Sequence, residues 1–222
     1  MRLLLLCAAV SVALLVALPA HAAATCGSQA YAYAGVETQR PVYGVSAVIT
    51  ALQAPNVKDG HVAGWVGVSS RSGWGWIQIG LSAAPGARTN EVYMEYAVPG
   101  RDPQYRVLRS AVAVGERHRL AVSALVHRPG WWQASLDGVL VDPPLFLPGS
   151  DGRWRAQVLG ESWNDNSGAC NLYSYGFSGV SLVAEPNLQW GRLGGFTRFA
   201  DAGYGLAWRS PSHFIASASG RL

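Results

Sequence analysis

The chain has 222 residues, with 17 Lys and Arg against 13 Asp and Glu for a formal net charge of +4. All but one of the basic residues are arginines, and they are scattered rather than clustered. Nucleic-acid binding needs a basic stripe, so that class is set aside and the charge reads as solvated surface.

The chain opens with Met1-Arg2, an apolar stretch over 3–18, and Pro19-Ala20-His21-Ala22, a small-x-small cleavage site. This is the pattern of a secretory signal peptide over 1–22. A lipoprotein leader fits less well, because Thr25 stands before Cys26 where a small residue is expected. No later segment reaches the ~18 consecutive apolar residues that span a bilayer. The expected product is a soluble monomer over 23–222, secreted to an extracellular or periplasmic compartment, of a length that suits one all-β domain.

Beyond the leader, short runs rich in β-branched and aromatic residues alternate with Gly and Pro. They predict strands over 42–52, 61–68, 74–81, 91–98, 106–114, 118–127, 131–136 and 139–145. Further strands are predicted over 156–163, 172–183, 197–208 and 214–217, with a long loop over 188–196. Leu120, Val122, Ala124 and Val126 share one face, opposite Ala121, Ser123 and Leu125. Asp137-Gly138 between two such runs is a hairpin signal. No stretch holds a period of 3.6. Strands about ten residues apart predict an all-β antiparallel two-sheet sandwich or jelly roll.

Cys7 lies in the leader, which leaves Cys26 and Cys170. In an oxidising compartment the two most simply pair as a disulfide, the alternatives being free thiols or metal ligands. No Cys/His cluster has zinc spacing, so neither a metal nor a cofactor is expected.

Neither H-E-x-x-H nor a G-x-S-x-G elbow occurs. Glu91 and Glu95 flank Tyr93 without the third acid that a jelly-roll glucanase would show. Two residues stand out instead. Gln78 sits in Trp76-Ile77-Gln78-Ile79-Gly80-Leu81, a strand-like run. Glu161 sits in Gly160-Glu161-Ser162-Trp163, a comparable aromatic setting 83 residues later (161 − 78). Each could be a polar residue on a sandwich's outer face. Together they could hydrolyse an amide. A carboxylate can activate water as general base, and an amide NH₂ can donate to a developing oxyanion.

The order of blocks resembles the glutamic peptidases (eqolisins). Trp65-Val66-Gly67-Val68 is similar to that family's W-V-G-I block and Ile77-Gln78-Ile79-Gly80 to its L-Q-T-G block. Tyr93-Met94-Glu95-Tyr96 resembles its Y-E-W block, Val114-Gly115-Glu116 its G-D-x-I turn, and Gly160-Glu161-Ser162-Trp163 its A-E-W stretch. The resemblance implies a concanavalin A-like sandwich with a Gln78/Glu161 dyad on one concave sheet. It also implies substrate-binding roles for Trp65, Tyr93, Glu95 and Tyr96, a polypeptide substrate, and operation in acid. Ser69 and Ser82 stand where the family often has acids, and Ser162-Trp163-Asn164-Asp165 lacks a second downstream one. Two other expectations compete. One is a non-catalytic polysaccharide-binding module using its tryptophans, with Trp74 as a loop platform. The other is an inactive homologue. Trp65 is expected in the core.

Overall fold

The computed structural model describes Cys26 and residues 29–186, 189–192 and 194–218, so the predicted leader lies outside the described residues. Among the described residues sixteen strands make two antiparallel sheets, and none of these residues is helical. In chain order they are β1 (Tyr31–Thr38), β2 (Gly44–Ala51), β3 (His61–Ser69), β4 (Trp76–Ala83), β5 (Asn90–Ala97), β6 (Gln104–Val112), β7 (Arg117–Ala124) and β8 (Trp131–Leu136). Then come β9 (Val139–Leu140), β10 (Leu145–Phe146), β11 (Arg155–Trp163), β12 (Ser174–Val183), β13 (Trp190–Arg192), β14 (Phe196–Ala200), β15 (Gly205–Ser210) and β16 (His213–Ser217).

One sheet has seven strands in the order β14-β1-β11-β3-β4-β5-β6. The other has nine: the path β10-β8-β7-β2-β12-β16-β15, with β9 on β8 and β13 on β12. The period of two decides which side chains go between the sheets. Val62, Val66 and Val68 of β3, Ile77, Ile79 and Leu81 of β4 and Val158 of β11 face inward. They meet Val45, Ile49, Leu120, Val122, Phe177 and Phe214 of the opposing sheet. Each such side chain, fully buried, contributes about 1.5–3 kcal/mol.

Two inward glycines are set by ring volume. A Cβ on Gly64 would lie 2.5 Å from the Tyr175 ring, and one on Gly160 would lie 2.6 Å from that of Tyr173. Tyr175 of β12 and Tyr173 just before it are therefore pressed against the backbone of β3 and β11. The Tyr175 hydroxyl donates to Asn90 Oδ1 at 2.8 Å, which satisfies it deep between the sheets.

The predicted sandwich is the fold that forms, and Asp137-Gly138 makes the expected hairpin, both residues at positive φ (53° and 85°). Four details differ. β1 is a strand that the reading did not predict. Its inward residues begin with Ala32 and Ala34, which carry a weak strand signal, before Val36, and its place comes from ladders with β11 on one side and β14 on the other. The run over 139–145 is split into β9 and β10, because Pro143-Pro144 has no amide hydrogens to continue a ladder. The run over 197–208 is split by a turn that Tyr204 N closes on Asp201 O at 3.0 Å. Inside the expected 188–196 loop, β13 forms on β12, where Ser181–Val183 extends past the end of β16.

Cys26 and Cys170 are disulfide-bonded, with Cα atoms 5.4 Å apart across 144 residues of sequence. The bridge ties the segment before β1 to the loop that leaves β11.

Candidate active site

The outward face of the seven-stranded sheet is where the polar residues collect. β3 presents His61, Ala63, Trp65, Gly67 and Ser69 on that face. In register, Ala63 lies between Glu161 of β11 and Ser82 of β4, while Gly67 lies between Gln157 of β11 and Gln78 of β4. Trp65 thus stands between two nearly bare positions, and the side chains of Glu161 and Gln78 flank β3 from opposite neighbours.

The bareness is required. A Cβ on Gly67 would come within 2.8 Å of Gln78 Cβ and 2.7 Å of Ile77 O. A Cβ on Gly80 would lie 2.6 Å from Trp65 Cβ. Trp65, Tyr93, Leu159 and Ala63 form a small second apolar cluster on this outer face, with Tyr33 and Phe199 packed against it. Trp65 and Leu159 of that cluster form the floor of a cleft of about 390 Å³ whose walls include Gln78, Glu95, Glu161, His61, Gln157 and Tyr31.

Glu161 is only 6% exposed. A buried carboxylate needs donors, and it has two candidates. The Trp65 indole N–H donates to Oε2 at 2.6 Å, and His61 Nε2 lies 3.2 Å from Oε1. Gln78, 8% exposed, donates through Nε2 to the Tyr93 hydroxyl and to Glu95 Oε2, both at 3.0 Å. Ser69 Oγ donates to Gln157 Oε1 at 3.1 Å.

Burial raises the Glu95 carboxyl above its ordinary range, and the negative charge of Glu161 adds to the rise. His61 and the hydrogen bond from Gln78 oppose it. The Tyr93 and Tyr33 phenols are also pushed up, first by burial and then by the field of Glu161, so both keep their O–H. Among the described residues no three His, Cys, Asp or Glu side chains gather as metal ligands.

Of the sequence-predicted site, Gln78, Glu161, Trp65 and Glu95 line this one cleft, and Tyr93 lies beneath it as the partner of Gln78. Tyr96 does not join them. It pairs with Ile77 on the inward side of β5 and packs against the core, because it is one residue out of phase with Glu95. Trp65 is buried, but on the cleft floor rather than between the sheets. Trp74 is 73% exposed in the turn between β3 and β4. Gly115 and Glu116 form a turn before β7, where Glu116 accepts from Ala113 N. Other cleft residues carry no signal in the sequence reading, among them His61, Gln157, Tyr31 and Tyr33. Counting by twos from Trp65 and Glu161 would have found the first two, since both share their face.

The fold is a two-sheet antiparallel β-sandwich of the kind seen in solved eqolisin peptidases. The chain is similar to Scytalido-glutamic peptidase bound to a peptide-based transition state analog, with a TM-score of 0.61 over 83% of this chain and 97% of that one at 15% identity. It is likewise similar to SCP-B, a member of the Eqolisin family in complex with the tripeptide Ala-Ile-His. There the TM-score is 0.58, with 85% of this chain and 98% of that one covered at 14% identity. At such identities the likeness defines the fold. No protein-family model and no curated protein sequence matches the chain.

Proposed function

We propose that the chain is an exported glutamic endopeptidase that hydrolyses peptide bonds with Gln78 and Glu161. The observation that carries this reading is the placement of these two side chains on the walls of one cleft, with Glu161 buried and held by Trp65. Two solved proteins of the same fold bind a peptide-based transition state analog and a tripeptide, which supports a polypeptide substrate. The Cys26–Cys170 bridge supports an oxidising, exported setting.

In the proposed mechanism, the Glu161 carboxylate takes a proton from water as the water oxygen attacks the scissile carbonyl carbon. The carbonyl π electrons move to oxygen, and the Gln78 amide N–H stabilises that oxyanion. Glu161 then returns its proton to the amide nitrogen, the C–N bond breaks, and a carboxylic acid and an amine leave. Gln78 is neutral at every pH, so the pair avoids the like-charge repulsion of two carboxylates.

The polysaccharide-binding alternative needs ring faces open to solvent. Trp65 is 5% exposed, with its indole N–H committed to Glu161, so it offers no such face, and the alternative rests on the exposed Trp74, which does not line the cleft that holds Gln78 and Glu161.

Cleavage of a denatured protein, followed from about pH 2 to about pH 7, tests the proposal. Glu161→Gln removes the base at constant shape and should lower turnover by about 10²–10⁴-fold. Gln78→Ala removes the oxyanion donor and should lower it by about 10²–10³-fold. Undiminished hydrolysis by Glu161→Gln would rule the dyad out. A wild type inert at every pH, yet retained on a polysaccharide column, would favour the binding module.

A further inference from the structure

We infer that Glu95 is a positioning residue whose proton decides which end of the Gln78 amide faces the cleft. The inference rests on the peptidase reading for its consequence, while its geometry stands on Gln78, Tyr93 and Glu95 alone. An amide NH₂ has two hydrogens, and here one goes to Glu95 Oε2 and the other to the Tyr93 hydroxyl, both at 3.0 Å. No N–H of Gln78 is then left for an oxyanion. The end free of these two partners is the carbonyl, which cannot donate.

The chemistry of Glu95 explains both this arrangement and its release. An ionised carboxylate only accepts, so it can hold Gln78 only by Nε2. A protonated Glu95 has an O–H that can donate to Gln78 Oε1, and the Tyr93 O–H can donate to the same oxygen. A carbonyl has two lone pairs, which matches two donors. The terminal amide torsion is broad and roughly two-fold, so the group turns over without leaving its rotamer. Both N–H groups then face the cleft. Glu95 takes its proton from solvent, and the proton moved in catalysis remains that of Glu161.

The surroundings favour protonation of Glu95. Glu95 is packed between Gln78 on β4 and Tyr105 on β6, its two register partners, with Tyr93 one outward position along β5. Glu161 of β11, His61 of β3 and the Tyr31 and Tyr33 phenols of β1 complete the titratable groups whose fields it shares. Burial and the charge of Glu161 together move the Glu95 carboxyl upward, while Glu161 has the Trp65 indole and the His61 ring as partners suited to its charged form. Two carboxyls in one cleft with different surroundings take different roles. A competent site has Glu95 protonated and Glu161 ionised. Because the Glu95 carboxyl is raised, this state is present below its midpoint and is lost as pH rises through it.

Two measurements on the exported protein test the inference. The first is the pH profile of kcat/KM for peptide cleavage from about pH 3 to about pH 7. Wild type should lose activity by about tenfold per pH unit above the Glu95 midpoint. In Glu95→Gln, which has no proton to titrate, that limb should vanish, whatever the absolute rate. A limb that stays at the same midpoint in Glu95→Gln would overturn the inference. The second is NMR of the Gln78 side-chain NH₂, assigned by its loss in Gln78→Ala. Its signal should shift with the same midpoint as the Glu95 carboxyl carbon, and should not do so in Glu95→Gln. A Gln78 signal that ignores the titration of Glu95 would contradict the inference. A wild type that cleaves nothing while its Gln78 signal follows Glu95 would support the switch and remove the peptidase reading.

Discussion

Trp65 can set its indole N–H on Glu161 because its neighbours are small: Ala63 and Gly67 along β3, and Gly80 beside it on β4. Two substitutions separate the hydrogen bond from the space. Trp65→Phe keeps an aromatic ring on the cleft floor and removes the donor. Hydrogen bonds to charged groups are worth about 1.5–3 kcal/mol, so turnover should fall by about 10–100-fold with the fold retained by circular dichroism. Gly67→Ala forces a methyl against Gln78 Cβ and the backbone oxygen of Ile77. Overpacking of this kind costs about 1–3 kcal/mol, so its thermal midpoint should fall along with activity. At this scale the sequence was most informative where a residue broke its local pattern. Gln78 and Glu161 are polar residues in strand-like runs, and both lie in the cleft. His61 and Gln157 carry little signal of their own, because a polar residue near a strand end is unremarkable until its face is counted. Tyr96 adjoins Glu95 in the same motif block, but alternation sends it to the opposite face from Tyr93 and Glu95.

Among the elements, β1 shows what composition conceals. Tyr-Ala-Tyr-Ala has a period of two, but its inward members are alanines, so the hydrophobic signal is faint. The strand nonetheless forms the centre of one side of the sheet, pairing with β11 and β14, and its Tyr31 and Tyr33 form a wall of the cleft. The Cys26–Cys170 bridge anchors the segment that enters β1 to the segment that leaves β11, the strand bearing Glu161. The pairing was legible from two cysteines after the predicted leader, and its geometric role was not. Cys26→Ser with Cys170→Ser should lower the free energy of unfolding by about 2–5 kcal/mol. A denaturant titration reads this as a lower midpoint with the β-type spectrum retained. An unchanged midpoint would mean that the bridge contributes nothing to holding β1.

For the whole molecule, the sandwich supplies a rigid sheet whose inner face is committed to packing and whose outer face is free to carry chemistry. Alternation along β3, β4 and β11 performs this division, sending Val, Ile and Leu one way and His, Trp, Gln and Glu the other. The two-sheet architecture was therefore readable from periodicity and turns. The strand order was not, because β11 lies between β1 and β3 through pairs that run from 86 (155 − 69) to 132 (163 − 31) residues apart in sequence, and no local pattern specifies them. The order of motif blocks carried the likeness to the glutamic peptidases, and the same fold appears in their solved structures. The central claim is that Gln78 and Glu161 act together on one carbonyl. A crystal structure with a peptide that carries a tetrahedral hydroxyl in place of the scissile carbonyl measures this directly. The hydroxyl oxygens should lie about 2.7–3.1 Å from Gln78 Nε2 and from a carboxylate oxygen of Glu161. A peptide bound with its tetrahedral centre away from both side chains, or not bound in this cleft at all, would contradict the dyad.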